Sequence, residues 1–244
     1  MPYMNIELLL AAMYFRFRYG FNVMEMKPIQ SGPFKGALLH AKGSWPGHKS
    51  RLLGTYEKEL WPVIEELERL NVRHVIDVGC AEGYYSCGIA YSNPSIHVTA
   101  FDLSTAARCC TYFASRSNGI ANRLSVRRFF DINLYDGPSM GRELVFLDCE
   151  GFEATIVNPS TIQKFLDVAL LIECHEMYVN GITDSLTDLL GHSHVVKRFD
   201  SQDRCVEDIP DEVSGGESLI SDMNEERPYS MPWLWAIPKS WVTD

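Results

Sequence analysis

At 244 residues the chain is long enough for one large α/β domain with a full core, or for two small domains at most. Hydrophobic residues make up 46% and charged residues 22%, which is ordinary for a globular protein and argues against a disordered or fibrous chain. The net charge of −10 argues against a nucleic-acid partner, because phosphate recognition needs a basic face.

The cysteines indicate a reducing compartment. There are 7 of them, an odd number, with no C-x-x-C pair, and most lie in or beside apolar runs. We therefore expect reduced packing residues in a cytoplasmic protein. No basic region precedes the apolar segment Leu8–Phe15, and no apolar run approaches the roughly 20 residues that span a bilayer. The sequence thus predicts neither a secretory signal nor a membrane partner.

Residues 1–53 are predicted to form an N-terminal extension rather than an independent domain. Met4–Tyr19 has a wide apolar helical face and ends at Gly20. Such a helix packs on the main domain, covers a cleft as a lid, or forms a homodimer contact. The segment Phe21–Ala41 is predicted to be extended, with a turn at Ser31-Gly-Pro.

Residues 54–244 are predicted to form the main domain. A helix is expected from Gly54 to about Leu70, kinked or divided by Pro62. At its start, Tyr56 and Glu57 either close over a bound cofactor or simply begin the helix. Residues 201–232 contain nine acidic residues against two arginines, which predicts a mobile lid or a solvated insertion.

From Asn71 onward, apolar strands alternate with helical segments, which predicts an α/β fold with a doubly wound, mostly parallel, seven-stranded Rossmann-like sheet. The expected strands are Arg73–Val78, Ile96–Asp102, Leu124–Phe130, Leu144–Asp148, Val168–Glu173, Val195–Phe199 and Trp233–Ile237.

The segment Val75–Tyr85 reads as a buried strand, a tight glycine turn and a helix start. Gly79 lets the chain turn sharply, and Gly83 lets a ligand or the strand approach the backbone closely. Turns at the carboxyl ends of parallel strands bind nucleotide-like ligands in open α/β sheets. A plain strand-to-helix turn without a ligand is the alternative.

Asp77 distinguishes this turn from the dinucleotide pattern G-x-G-x-x-G. An acid at the end of a central strand costs several kcal/mol unless a cation or a hydrogen-bond donor meets it, and the ammonium of an amino acid would do so. The stretch resembles the first motif of the class I S-adenosylmethionine (SAM) methyltransferases, which carry an acid at this position. The resemblance implies a cofactor site that includes Asp77, Gly79, Cys80, Ala81, Glu82, Gly83 and Tyr84.

Two further acids extend this predicted cofactor site. Asp102, with Leu103 beside it, ends the second strand 19 positions after Gly83, where a carboxylate accepts hydrogen bonds from a ribose diol. Capping of the helix after Ser104 is the alternative role for Asp102. Asp131 follows the third strand, where it is either an acceptor for the adenine amine or a surface acid.

Polar residues also end the fourth and fifth strands, as Asp148-Cys-Glu-Gly-Phe-Glu153 and Glu173-Cys-His-Glu176. These endings, D-x-E-G-x-E and E-x-H, resemble the FkbM-like branch of SAM-dependent methyltransferases over roughly Asn71 to Glu176 and the last strand. In that family the two stretches flank the methyl-transfer site. The chain departs from the family at Cys80-Ala-Glu82, where Ala-Asn is common. The implied site residues are Asp148, which also borders the cofactor, Glu150, Glu153, Glu173 and His175.

Methyl transfer needs a positioned acceptor and a group that removes its proton. His175 is the first candidate for a general base and Glu150 the second, while a hydrogen-bonded strand-end residue is the alternative for His175. A second interpretation of the cluster is a Mg²⁺ or Mn²⁺ site formed by Asp148, Glu150, Glu173 and His175.

The sequence therefore predicts a SAM-dependent methyltransferase that methylates a hydroxyl, or an amine, of a small-molecule acceptor in specialised, sugar or natural-product metabolism. One alternative is an NAD(P)-dependent oxidoreductase, which would share the glycine turn and Asp102 but leave Asp77 unexplained. A second is a methyltransferase-like protein that binds SAM without turnover.

Overall fold

The computed structural model describes Met13 and residues 25–43, 45–211, 213, 219–224 and 231–242. At its centre lies a seven-stranded sheet in the order β5-β4-β3-β6-β7-β9-β8. All strands run parallel except β9, which pairs antiparallel with both β7 and β8. The strands are β3 (His74–Val78), β4 (His97–Phe101), β5 (Leu124–Arg127), β6 (Glu143–Leu147), β7 (Val168–Glu173), β8 (His194–Phe199) and β9 (Trp233–Pro238).

The predicted α/β class and the mostly parallel seven-stranded sheet are confirmed. Strands β6, β7 and β9 are buried at every position, as expected for strands that are covered on both faces. Alternate residues enter two separate cores: Val75 and Leu144 lie in one, and Ile76 and Val145 in the other. The main boundary error is in the third predicted strand, which ends at Arg127 and not at Phe130.

The helices cover both faces of this sheet. The predicted helix from Gly54 is wrong at its start: a 3-10 turn (Lys58–Leu60) precedes the α-helix, and Pro62 lies in that helix's first turn, where its missing N–H costs nothing. The helices are α1 (His48–Leu53), α2 (Trp61–Arg69), α3 (Tyr84–Ser92), α4 (Thr105–Ser117), α5 (Glu153–Ile156), α6 (Ile182–Gly191), α7 (Ile220–Met223) and α8 (Lys239–Val242).

The described part of the N-terminal extension packs onto the main body. Strands β1 (Met26–Pro28) and β2 (Leu38–His40) form an antiparallel pair. Phe34 and Leu39 belong to the core that contains Val75. The predicted helix Met4–Tyr19 lies outside the described residues apart from Met13. None of the described helices has the length and apolar character that crossing a bilayer requires.

Gly79 is the backbone position on which the site geometry depends most. Its φ is +97°, and a Cβ there would lie 1.7 Å from the carbonyl oxygen of Asp148. Strand β3 therefore turns directly against the end of β6. Only glycine fits, because the conformation is strained for other residues and the neighbour is backbone that cannot move aside.

We expect Gly79→Ala to destabilise the protein by about 3 kcal/mol or more, measured by urea denaturation. Gly119→Ala is the matched control, since Gly119 also has a positive φ, of +69°, but has nothing within 4 Å of its Cβ position. The control should cost only about 1 kcal/mol. Equal losses for the two variants would contradict the close approach at Gly79.

Candidate functional site

A cleft opens where β3, β4 and β6 end, at the edge of the sheet where ligands bind in open α/β folds. The space between its walls, counted together with the part that is open to solvent, is about 310 Å³. Its floor is formed by Asp77, Gly79 and Asp148, and its far wall by Arg51 and Tyr56 of the N-terminal extension and the segment after it.

Asp77 is a buried acid without a cationic partner. It is 2% exposed and accepts a hydrogen bond from the Ser86 hydroxyl of α3. Among the described residues, no arginine, lysine or histidine forms an ion pair with it. Burial raises the pKa of Asp77 to about 7, against the effect of the Ser86 hydrogen bond and with help from the charge of Asp148. A cation placed in this cleft would relieve that strain on the carboxylate.

The turn that follows Asp77 is stabilised by a hydrogen bond to the carboxylate of Asp102. Asp102 accepts from the N–H groups of Ala81 (3.0 Å) and Ser104 (2.7 Å), one with each carboxylate oxygen. Ala81 has a φ of +45°, so this bond stabilises a conformation that alanine disfavours. The helix cap itself is the Ser104 hydroxyl, which accepts from the N–H of Ala107. Asp102 retains acceptor capacity on both oxygens.

One side of Gly83 packs closely against helix α4. A Cβ on Gly83 would lie 3.0 Å from the backbone of Thr111, so the close neighbour on that side is helix α4. Close packing of α4 against the turn requires a residue without a side chain.

Four other residues of the predicted cofactor site differ in their exposure and contacts, namely Cys80, Tyr84, Leu103 and Asp131. Cys80 and Tyr84 are 5% and 4% exposed and line the cleft, whereas Leu103 is 64% exposed. Asp131 follows β5 and accepts from the backbone N–H of Asn133, as the cap of a 3-10 turn.

Glu82 is the predicted residue whose surroundings differ most from expectation. It is 1% exposed and its carboxylate turns towards α1, where it meets His48 Nδ1 (3.0 Å) and Arg51 Nη1 (3.2 Å). Those partners hold the pKa of Glu82 below its usual value although burial acts in the opposite direction. The carboxylate therefore joins the N-terminal extension to the turn, and only its backbone stays available to a ligand.

The second set of predicted residues gathers around His175, at the ends of β6 and β7. His175 Nδ1 lies 2.9 Å from Oε1 of the fully buried Glu153. This contact fixes Nδ1 as the protonated nitrogen and aims Nε2 at the acids. Nε2 lies 3.6 to 3.7 Å from carboxylate oxygens of Asp148, Glu150 and Glu173.

The charged side chains of this cluster shift one another's pKa values. Burial acts to lower the pKa of His175, but the hydrogen bond and charge of Glu153 raise it above the usual value. Burial raises the pKa of Asp148 to about 6, while its hydrogen bond with Glu173 lowers it. Two carboxylates that share a hydrogen bond must share a proton unless a cation separates them.

Asp148, Glu173 and His175 can each offer one ligand atom with all three atoms within 4.8 Å of one another. Glu150, the fourth predicted ligand, lies outside this group of three, and the predicted set of four stays a prediction. Glu150 lies in a sharp turn with a φ of +54°, and its side chain is 71% exposed.

The sequence did not reveal how the acidic insertion meets the cleft wall. Arg204 is 8% exposed and donates to the Thr55 carbonyl (2.8 Å) and to Glu59 (2.6 Å), while Asp208 pairs with Lys58. The described first part of the insertion, residues 201–211, is thus anchored to the segment that carries Tyr56. Most of the remaining insertion lies outside the described residues.

Tyr56 and Glu57 stand beside the cleft, as one of the two sequence interpretations expected. Tyr56 lines it, and Glu57, 4% exposed, accepts a hydrogen bond from the Tyr85 hydroxyl. Glu57 also directly precedes the 3-10 turn and has a φ of +45°. The segment thus begins the helical region, and its closing over a cofactor stays a prediction.

The sheet and its strand order define the Rossmann-like fold of class I methyltransferases, and known structures agree. A SAM-dependent O-methyltransferase from Thermotoga maritima superposes with a TM-score of 0.50 and 11% identity, over 75% of this chain and 66% of the other. The O-methyltransferase TomG from Streptomyces achromogenes, solved in complex with SAM, matches at 0.50 and 11%, over 96% and 91%. At 11% sequence identity, the two superpositions show that the fold is shared.

Sequence comparison adds less. No protein-family model matches the chain. An uncharacterized protein from Synechococcus is 26% identical over 91 residues, which is 37% of this chain and 21% of the cyanobacterial protein. The chain thus spans about a fifth of that relative and about two thirds of the Thermotoga enzyme.

Proposed function

We propose that the protein is a SAM-dependent methyltransferase that methylates a hydroxyl group of a small-molecule acceptor. The observation that carries the proposal is Asp77, a buried acid in an open cleft that has no cationic partner among the described residues. The ammonium of SAM is a cation that would neutralise this carboxylate. The fold shared with SAM-dependent O-methyltransferases supports the same cofactor.

The rest of the cofactor would follow the strand ends. Asp102 holds the glycine turn at the end of β4 and keeps acceptor capacity for the ribose hydroxyls. Asp131 lies one strand further out, after β5, on the side where the adenine ring would extend. The nucleoside would therefore cross β3, β4 and β5 in order, with the methionine part turned towards Asp77 and Asp148.

His175 is suited to receive the acceptor proton. The contact between Nδ1 and Glu153 turns Nε2 towards Asp148, which borders the cleft, and towards Glu150 and Glu173. In the transfer, an acceptor oxygen forms a bond to the methyl carbon as the carbon–sulfur bond breaks. The hydroxyl proton passes to Nε2, and the electron pair of the broken bond stays on sulfur. Glu150, whose exposed side chain lies 3.7 Å from Nε2, would help to orient the acceptor.

A divalent metal would fit the same cluster. Asp148, Glu173 and His175 would hold it, because two carboxylates and an imidazole suit Mn²⁺ and, less well, Mg²⁺. The donation from His175 to Glu153 is the outer contact that metal-binding histidines commonly make. When bound, such an ion lowers the pKa of an acceptor hydroxyl and orients it.

The experiment is a methyl-transfer assay with methyl-labelled SAM and a panel of diols, hydroxy acids, sugars and amines. We expect acceptor-dependent formation of S-adenosylhomocysteine, with hydroxyl-bearing acceptors preferred. Repeating it after chelation and after adding Mn²⁺ or Mg²⁺ tests the metal. Saturable SAM binding without product for any acceptor would indicate a non-catalytic binding protein. Fluorescence enhancement of NAD(P)H, without SAM binding, would indicate an oxidoreductase instead.

A further inference from the structure

Arg51 lies on α1, in the N-terminal extension, yet its side chain reaches the cleft that contains Asp77. It is 8% exposed and lines that cleft with Tyr56. Helix α1 is bounded at both ends by glycines in the left-handed conformation, Gly47 and Gly54. The six-residue helix is therefore fixed between two turns, and these hold the guanidinium at the cleft wall.

The guanidinium is only partly satisfied by the protein. Nη1 donates to Glu82 at 3.2 Å, and the group lies 4.2 Å over the ring of Tyr56, with which it also hydrogen-bonds. Nε is buried and donates to no atom of the described residues. An unsatisfied buried donor costs about 1–3 kcal/mol, so a ligand acceptor at this point would be favoured.

The Glu82 carboxylate does not accept from all the N–H donors of Arg51. This carboxylate is shared with His48, which lies closer to Oε1 than Arg51 does, 3.0 Å against 3.2 Å. A guanidinium has five N–H donors, and the bond to Glu82 uses one of them. The N–H at Nε has no acceptor among the described residues, and the Arg51 side chain lines the cleft where a second carboxylate would bind.

Among the described residues, one cleft therefore contains a buried acid without a cationic partner and a buried guanidinium with an unused donor. That pair complements a zwitterion, which carries an ammonium and a carboxylate on one carbon. This step rests on the proposed function. We propose that Arg51 binds the α-carboxylate of the methionine part of SAM while Asp77 binds its ammonium, so that the N-terminal extension completes the cofactor site.

Three ligands separate these contacts in calorimetric titrations of the full chain. SAM has both charged groups, decarboxylated SAM keeps only the ammonium, and 5′-methylthioadenosine has neither. Arg51→Met is expected to weaken SAM binding about 30-fold and to leave decarboxylated SAM within about threefold of wild type. Asp77→Asn is expected to weaken both, and neither variant should change binding of 5′-methylthioadenosine. Arg51→Lys, which keeps a charge, should recover part of the loss.

Unchanged binding of 5′-methylthioadenosine to Arg51→Met reports that the cleft is folded. If Arg51→Met weakens all three ligands equally, its role is to hold the wall with Glu82, and the proposal is overturned. If SAM binds Arg51→Met as tightly as wild type, the carboxylate lies elsewhere and the proposal is again overturned. Wild type that binds none of the three ligands would instead remove the proposed function itself.

Discussion

Replacing His175 with glutamine is expected to lower kcat for methyl transfer by about a thousandfold while S-adenosylhomocysteine still binds with nearly wild-type affinity. The glutamine amide can contact Glu153 but cannot accept the proton that Nε2 would take. His192→Gln is the matched control, because His192 is exposed at the end of α6 and away from the acids. We expect that control to keep full activity.

The same variant distinguishes the two roles of His175. Activity that returns with millimolar Mn²⁺ would show that the imidazole chiefly holds a metal, since excess ion can offset a lost ligand. Activity that stays low at any metal concentration supports the general base. Glu153→Gln should give a smaller loss, about 10- to 100-fold, because it removes the group that orients the ring and not the ring itself. Wild-type kcat in His175→Gln would contradict the assignment of this cluster to the chemistry.

Asp77→Asn is expected to weaken SAM binding about 100-fold and, at the same time, to stabilise the ligand-free protein. The carboxylate is buried with a pKa raised to about 7, so folding at pH 8 leaves it charged at a cost. Because the folded-state pKa lies above the unfolded value, stability falls as pH rises from about 4 to about 7. Asparagine removes this penalty and can still accept the Ser86 hydrogen bond.

The gain in unfolding free energy should be roughly 2–4 kcal/mol at pH 8 and vanish near pH 4, where the aspartic acid is itself neutral. Thermal denaturation as a function of pH measures it. Asp188→Asn, at an exposed position on α6, should change stability little at either pH and serves as the control. A lower stability of Asp77→Asn at pH 8 would mean that a cation already neutralises Asp77 in the folded protein.

The sheet could be predicted because its strands are short apolar runs closed by acids and glycines. Val168–Glu173 matched to the residue, since the run begins and ends sharply. The turn at Gly79 could be predicted because a glycine directly follows an apolar strand. The structure shows why glycine is needed there, since no other residue fits a backbone that approaches Asp148 so closely. Strand-end acids meet at one edge of a parallel sheet, and this places Asp148 near His175.

What the sequence could not reveal depends on contacts between distant segments. Arg51 and Glu82 are 31 residues apart, and no sequence pattern around either residue indicates that the two form an ion pair. Arg204 reaches Glu59 across 145 residues, from an insertion that the sequence predicted to be a mobile lid or a solvated segment. A buried ion pair of this kind is set by tertiary packing, and local patterns in the sequence contain no information on it.

The most direct test is a calorimetric titration of the wild-type chain with S-adenosylhomocysteine at pH 7.5, beside Asp77→Asn. We predict one saturable site per chain in the wild type and a much weaker one in the variant. A wild-type protein that releases no binding heat and shows no ligand-dependent rise in melting temperature, or a variant that binds equally well, would contradict the assignment of this cleft to the methionine end of the cofactor.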